Sequence, residues 1–135
     1  MLKEIKKKKV YFIYIPLAIY WLGMAFGTSL PSSNLPKISI GDKYLHFIAF
    51  FGLGVLLGLA LYAQEKYPVV KKYYGAFGLL AASLYAAVDE VHQLFIPGRQ
   101  CDILDIAFDI AGAIAGILII KLIIKKYFSA VLNYL

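Results

Sequence analysis

One cysteine, Cys101, stands among the 135 residues. No disulfide can therefore form within the chain, and the paired cysteines of zinc ribbons and dithiol redox motifs are excluded. Charge is also scarce: 16% of residues are Asp, Glu, Lys or Arg, against about 25% in soluble domains. Eight residues are acidic and fourteen basic, for a net charge of +6. No HExxH, GxSxG or phosphate-loop pattern occurs, so the commonest metalloprotease, serine-hydrolase and nucleotide-binding signatures do not apply. Internal repeats and low-complexity tracts are absent as well.

Apolar sequence fills the space. The chain is 61% hydrophobic, with a mean hydropathy of +0.74, where soluble domains are about 45–50% apolar. A bilayer-spanning helix needs roughly 20 apolar residues, and four segments qualify. They are Val10–Leu30, Lys43–Ala63, Tyr73–Phe95 and Asp102–Ile124. Their stops are Pro31 with the polar run after it, then Gln64-Glu65-Lys66 with Pro68, then Pro97-Gly98, and finally Lys125-Lys126. The first run has 21 residues. This exceeds the ~7–15 of a signal-peptide core, so a retained helix is expected. Lipid supplies no hydrogen bonds to backbone, which requires each run to be a helix. The sequence thus predicts an all-α bundle of four transmembrane helices over 10–126, after a basic segment at 1–9 and before an interfacial or cytoplasmic tail at 127–135.

The basic residues orient the bundle. Five lysines precede the first run, three (Lys66, Lys71, Lys72) lie between the second and third, and three (Lys121, Lys125, Lys126) close the fourth. Only Lys37, Lys43 and Arg99 fall on the other side. Eleven of fourteen on one side places both termini in the cytoplasm, in the plasma membrane. Basic clusters flanking apolar runs suit acidic lipid headgroups rather than nucleic acid, which needs a basic face on a soluble fold. Glycine pairs at Gly23/Gly27, Gly54/Gly58 and Gly112/Gly116 are each one turn apart, the spacing that lets membrane helices approach closely.

Ionisable residues inside spans are costly and mark functional interiors. Here they gather at one level. Asp42, Lys43 and His46 open the second run; Asp89, Glu90, His92 and Gln93 lie near the end of the third; Arg99 follows in the loop; and Asp102, Asp105 and Asp109 open the fourth. Alternating helix direction brings all of them to the outer half of the membrane. Tyr85, Asp89 and His92 form one helical stripe, and Asp105 and Asp109 share another with Gly112 and Gly116. Six carboxylates against Lys43 and Arg99 sum to −4 with neutral histidines. A partly buried site must offset that with protons or a bound cation. Plainer roles remain open for some of these residues. Asp42 and Asp102 fit helix N-caps, with Asp105 near a capping-box position. Lys43 fits a lysine snorkelling to the interface. His46 and Gln93 fit hydrogen bonding between helices.

Asp42-Lys43-x-x-His46, then Asp89-Glu90-x-His92-Gln93-x-Phe95-x-Pro97-Gly98-Arg99, then Asp105-x-x-x-Asp109-x-x-Gly112, resemble the VanZ-like membrane proteins from about Leu30 to Ile124. That resemblance implies functional weight on Asp42, Lys43, His46, Glu90, Gln93, Arg99 and Asp105. It also implies a cell-envelope association such as susceptibility to the glycopeptide antibiotic teicoplanin. The family usually carries Asn where this chain has Asp109. The expected activity is binding of a lipid headgroup or lipid-linked cell-wall precursor in an outward polar cavity, with Arg99 as the anion clamp. Two alternatives are an intramembrane hydrolase or transferase acting on headgroups, and a small proton-coupled transporter. No cofactor is required. A divalent cation is compatible, with His46, Glu90 and Asp105 as ligands. Expected partners are the bilayer, that headgroup or precursor, and further copies of the chain.

Overall fold

The computed structural model describes residues 7–34 and 41–128. Lys3, Lys6, Lys37 and the tail from Ser129 onward lie outside the described residues. All regular structure described is helical. A wide π-wound turn, Val10–Tyr14, leads into α1 (Ile15–Thr28). There follow α2 (Asp42–Ala63), a short α3 (Pro68–Lys72), α4 (Tyr74–Gln93) and α5 (Ile103–Ile123), which ends in a second π-wound turn, Ile124–Phe128. Three stretches are long and apolar enough to cross a membrane: Lys7–Thr28, Asp42–Ala63 and Ile103–Lys126. At ~1.5 Å per residue, the 20 residues of α4 extend roughly 30 Å beside them.

Side-chain contacts fix the ends of the bundle. At one end the Lys9 ammonium donates to the Ala63 carbonyl at 3.1 Å and pairs with Glu65 at 2.5 Å. Nearby, Tyr62 meets Tyr74 edge to face at 5.3 Å. At the other end the Ser32 N–H donates to Pro97 O at 3.3 Å, and Ser29 Oγ lies 3.0 Å from His92 Nε2. The start of the first helix therefore meets the end of α2, and the end of α1 meets the end of α4. Long helices consecutive in the chain therefore run antiparallel, as short connections favour, which leaves α2 and α5 parallel, with Lys43 beside Asp102 and Gly58 beside Ile120.

The core lies between α2, α4 and α5, where Phe50, Leu53, Leu57, Ala82, Ala86 and Ala113 are buried together. Glycines bring α2 and α5 to backbone contact. A Cβ at Gly112 would strike the Phe47 carbonyl, and one at Gly116 the Phe51 carbonyl. From the other side, a Cβ at Gly54 would come within 2.5 Å of Ala113 O. Lipid tails are as apolar as leucine, so this close fit holds the pair by dispersion rather than by the hydrophobic effect. The Gly23/Gly27 pair corrects its expectation: a Cβ on either meets nothing within 4 Å. Helix α1 has no buried residue and docks through larger side chains. Tyr20 donates to Ala49 O at 2.8 Å over the gap left by Gly52, and Trp21 meets Tyr85 edge to face at 5.3 Å.

Local chemistry explains the boundaries. Gly41, not Asp42, is the N-cap of α2; its ψ of 145° is extended, and Asp42 falls in the first turn, where its charge suits the helix dipole. Pro68 stops no helix but begins α3, because proline at the first helical position loses no hydrogen bond. Pro97 and Gly98 form the turn after α4. Gly98 has φ +75°, and the Arg99 N–H reaches Ile96 O at 3.1 Å. Proline second and a positive-φ glycine third is the type II pattern, and it fixes where Arg99 and α5 begin.

Candidate functional site

Three helices bring their ionisable residues to the end of the bundle that carries Ser29 and Pro97. Lys43, in the first turn of α2, reaches across to α5. Its Nζ lies 2.6 Å from Asp102 Oδ2 and 3.2 Å from Asp105 Oδ1. Asp102 is the N-cap of α5, its Oδ1 accepting from the Leu104 N–H at 2.8 Å. The reciprocal part of a capping box, a carboxylate on the cap's own N–H, normally comes from the third helical residue. Asp105 holds that position but is paired with Lys43. The bond comes instead from another helix: Glu90 of α4 accepts the Asp102 N–H at 2.9 Å. A single N-cap thus ties α2, α4 and α5 together.

One turn deeper, His46 Nδ1 lies 3.0 Å from Asp109 Oδ1, and its Nε2 is 4.0 Å from Asp105 Oδ2. With Asp109 ionised, Nδ1 carries the proton and donates. Asp89 accepts from the Gln93 amide, one turn along α4, at 3.1 Å. His46, Asp89, Glu90, Gln93, Asp105 and Asp109 are all buried. Lys43 pays only part of its hydration to join them, since about a third of its side chain stays exposed.

Asp102 stands ahead of the span. The Lys43 hydrogen bond, followed by that from Leu104, holds its carboxyl below the usual carboxylate range. The stability this adds is present at neutral pH and disappears only as pH falls through that depressed value. The neighbouring Cys101 thiol is exposed. Local desolvation and then the Glu90 carboxylate push its pKa up.

Two expected members stand apart. His92 is exposed, with Ser29 as its partner. The buried stripe of α4 runs Ala82, Ala86, Asp89, Glu90, Gln93, and His92 falls off it toward α1. Asp42 is exposed at the rim. Arg99 is half-buried, and its Nε is enclosed without a hydrogen-bond partner. Sequence reasoning left the Tyr85 hydroxyl out of the site. It too is enclosed without a partner, beneath a ring stacked on Phe50 at 5.8 Å. Its place on the Ala82–Asp89 stripe was the available signal.

Among the described residues, two sets of three could hold a metal ion, with ligand atoms within 4.8 Å of one another: Asp42, His46 and Asp105; and His46, Glu90 and Asp109. The expected set of His46, Glu90 and Asp105 is not among them: Asp105 groups with His46 and Asp42, and it is Asp109 that groups with His46 and Glu90. The arrangement as a whole can hold an anion at its basic rim and a cation among its buried carboxylates.

No curated protein and no solved structure matches the chain. A family model described as VanZ/LLP1 matches residues 3–124. That match takes in every helix and every residue of the polar layer, and the chain belongs to the VanZ/LLP1 family of membrane proteins.

Proposed function

We propose that this membrane protein crosses the plasma membrane four times, with both termini cytoplasmic, and that its outer polar layer opens as a cavity for a phosphate-bearing headgroup of a lipid or lipid-linked cell-wall precursor. Binding there would alter envelope properties such as teicoplanin susceptibility. The 20-residue length of α4 and its antiparallel place in the bundle support the fourth span. In the sequence, eleven of the fourteen basic residues fall in the segments read as cytoplasmic, which supports the orientation. The observation that carries the headgroup reading is Arg99. A half-buried guanidinium with an unpartnered Nε sits three residues before the Asp102 cap, held there by the Pro97-Gly98 turn. A planar fork of donors at a membrane surface suits phosphate oxygens.

Arg99→Ala is expected to weaken binding of the purified protein to vesicles bearing phosphate-monoester headgroups by about tenfold or more, since a charge-assisted hydrogen bond contributes roughly 1.5–3 kcal/mol. Surface plasmon resonance at fixed ionic strength measures it, with phosphatidylcholine vesicles as the blank. Equal binding by Arg99→Ala and wild type would remove the reading. So would a deletion strain with unchanged teicoplanin susceptibility and unchanged precursor binding.

A further inference from the structure

The layer's cations are unevenly shared. Lys43 serves Asp102 and Asp105. Glu90 receives one N–H on Oε2 and Asp109 one imidazole nitrogen on Oδ1. Their other oxygens, Glu90 Oε1 and Asp109 Oδ2, are enclosed with no hydrogen-bond partner, and both residues are 0% exposed. Orphaned carboxylate oxygens in a dry interior are rare and call for a proton or a cation. One carboxylate oxygen of each residue lies within 4.8 Å of a ring nitrogen of His46 and of the other, so that α2, α4 and α5 each contribute one donor to a single cluster.

We infer that His46, Glu90 and Asp109 bind one divalent transition cation of the zinc class. One imidazole and two carboxylates balance a doubly charged ion with no residual charge, which suits a low-dielectric interior. Zinc bonds of ~2.0–2.2 Å set tetrahedral ligand atoms about 3.4 Å apart, a contraction that side-chain rotation supplies. Magnesium keeps several waters, demands an octahedron and prefers all-oxygen donors, to which three buried donors that include an imidazole are ill suited. Asp105, held by Lys43, lies 4.0 Å from His46 Nε2, beyond hydrogen-bond distance but close enough that a small shift would let it orient a metal-bound imidazole. Three protein ligands leave the fourth tetrahedral position to water or an oxygen ligand. The site stands independently of the headgroup reading.

The test is metal content of the full chain, purified in nanodiscs with a histidine-free tag. About one zinc per chain is expected after dialysis, removed by chelator and restored by zinc chloride. Asp109→Asn and Glu90→Gln, which keep side-chain volume, should each weaken zinc binding by at least about tenfold, while Asp42→Asn leaves it unchanged. Folded wild type without zinc at micromolar supply overturns the inference, and so does equal retention by all variants. Loss in Asp42→Asn alone moves the ion to the other trio and equally overturns it. Should the variants not fold by circular dichroism, zinc X-ray absorption on wild type decides. One imidazole with oxygen neighbours supports the site, and sulfur or several imidazoles refutes it.

Discussion

Gly112→Val is expected to destabilise the bundle by about 3 kcal/mol, near the upper end for overpacking. A Cβ alone at this position meets the Phe47 carbonyl and, at 3.0 Å, the Phe51 nitrogen. These are backbone atoms that cannot rotate aside. Relief requires α2 and α5 to separate, and with them the Lys43–Asp102, Lys43–Asp105 and His46–Asp109 contacts that cross the same interface. Gly23→Val, with nothing within 4 Å of its Cβ, is the internal control and should fall within about 0.5 kcal/mol of wild type. Reversible unfolding in mixed micelles with increasing SDS measures both. Equal effects at the two positions would mean that α2 and α5 do not touch along Gly112.

Lys43→Met is the second large effect. It leaves the Asp105 carboxylate, 7% exposed, facing Asp109 and His46 without its cation. Removing the cation leaves a buried carboxylate unpaired, so a clear loss of stability is expected, moderated because the Lys43 side chain is itself one-third exposed. Charge is the cause, so a second substitution that removes the orphaned carboxylate should restore much of the loss. Lys43→Met with Asp105→Asn is expected to be more stable than Lys43→Met alone. A double variant no better than the single would show that Lys43 acts by packing its stem rather than by pairing.

The helices were legible because their ends are chemically loud. Pro31, Gln64-Glu65-Lys66, Pro97-Gly98 and Asp102 each interrupt an apolar run, and the structure turns at each. Periodicity also marked Asp105, Asp109, Gly112 and Gly116 as one face, and all four are buried. What the sequence could not carry was partner identity. Three Gly-x-x-x-Gly pairs are identical as text. Gly112, Gly116 and Gly54 sit against backbone and Gly58 against the Ile120 side chain, whereas Gly23 and Gly27 face open space, because α1 docks through Tyr20 and Trp21 instead. Lys43 is 59 positions from Asp102 and Glu90 is 12 from it. No local rule says that a carboxylate on one helix completes the cap of another. His92 failed as a member of the cluster for a rotational reason. Three residues beyond Asp89 it lies about 60° around the helix, enough to move from the bundle interior to the α1 side.

Cys101 offers a direct measurement of where the polar layer faces. It is the chain's one cysteine, exposed, and adjacent to the Asp102 cap. A membrane-impermeant maleimide is applied to intact cells at mildly alkaline pH, which offsets the raised thiol pKa. On the proposed orientation, with the layer formed by α2, α4 and α5 facing outward, it should label the protein as fully before lysis as after. Labelling that appears only after the membrane is permeabilised would place Lys43, His46, Glu90, Arg99 and Asp109 on the cytoplasmic side and contradict the outward site.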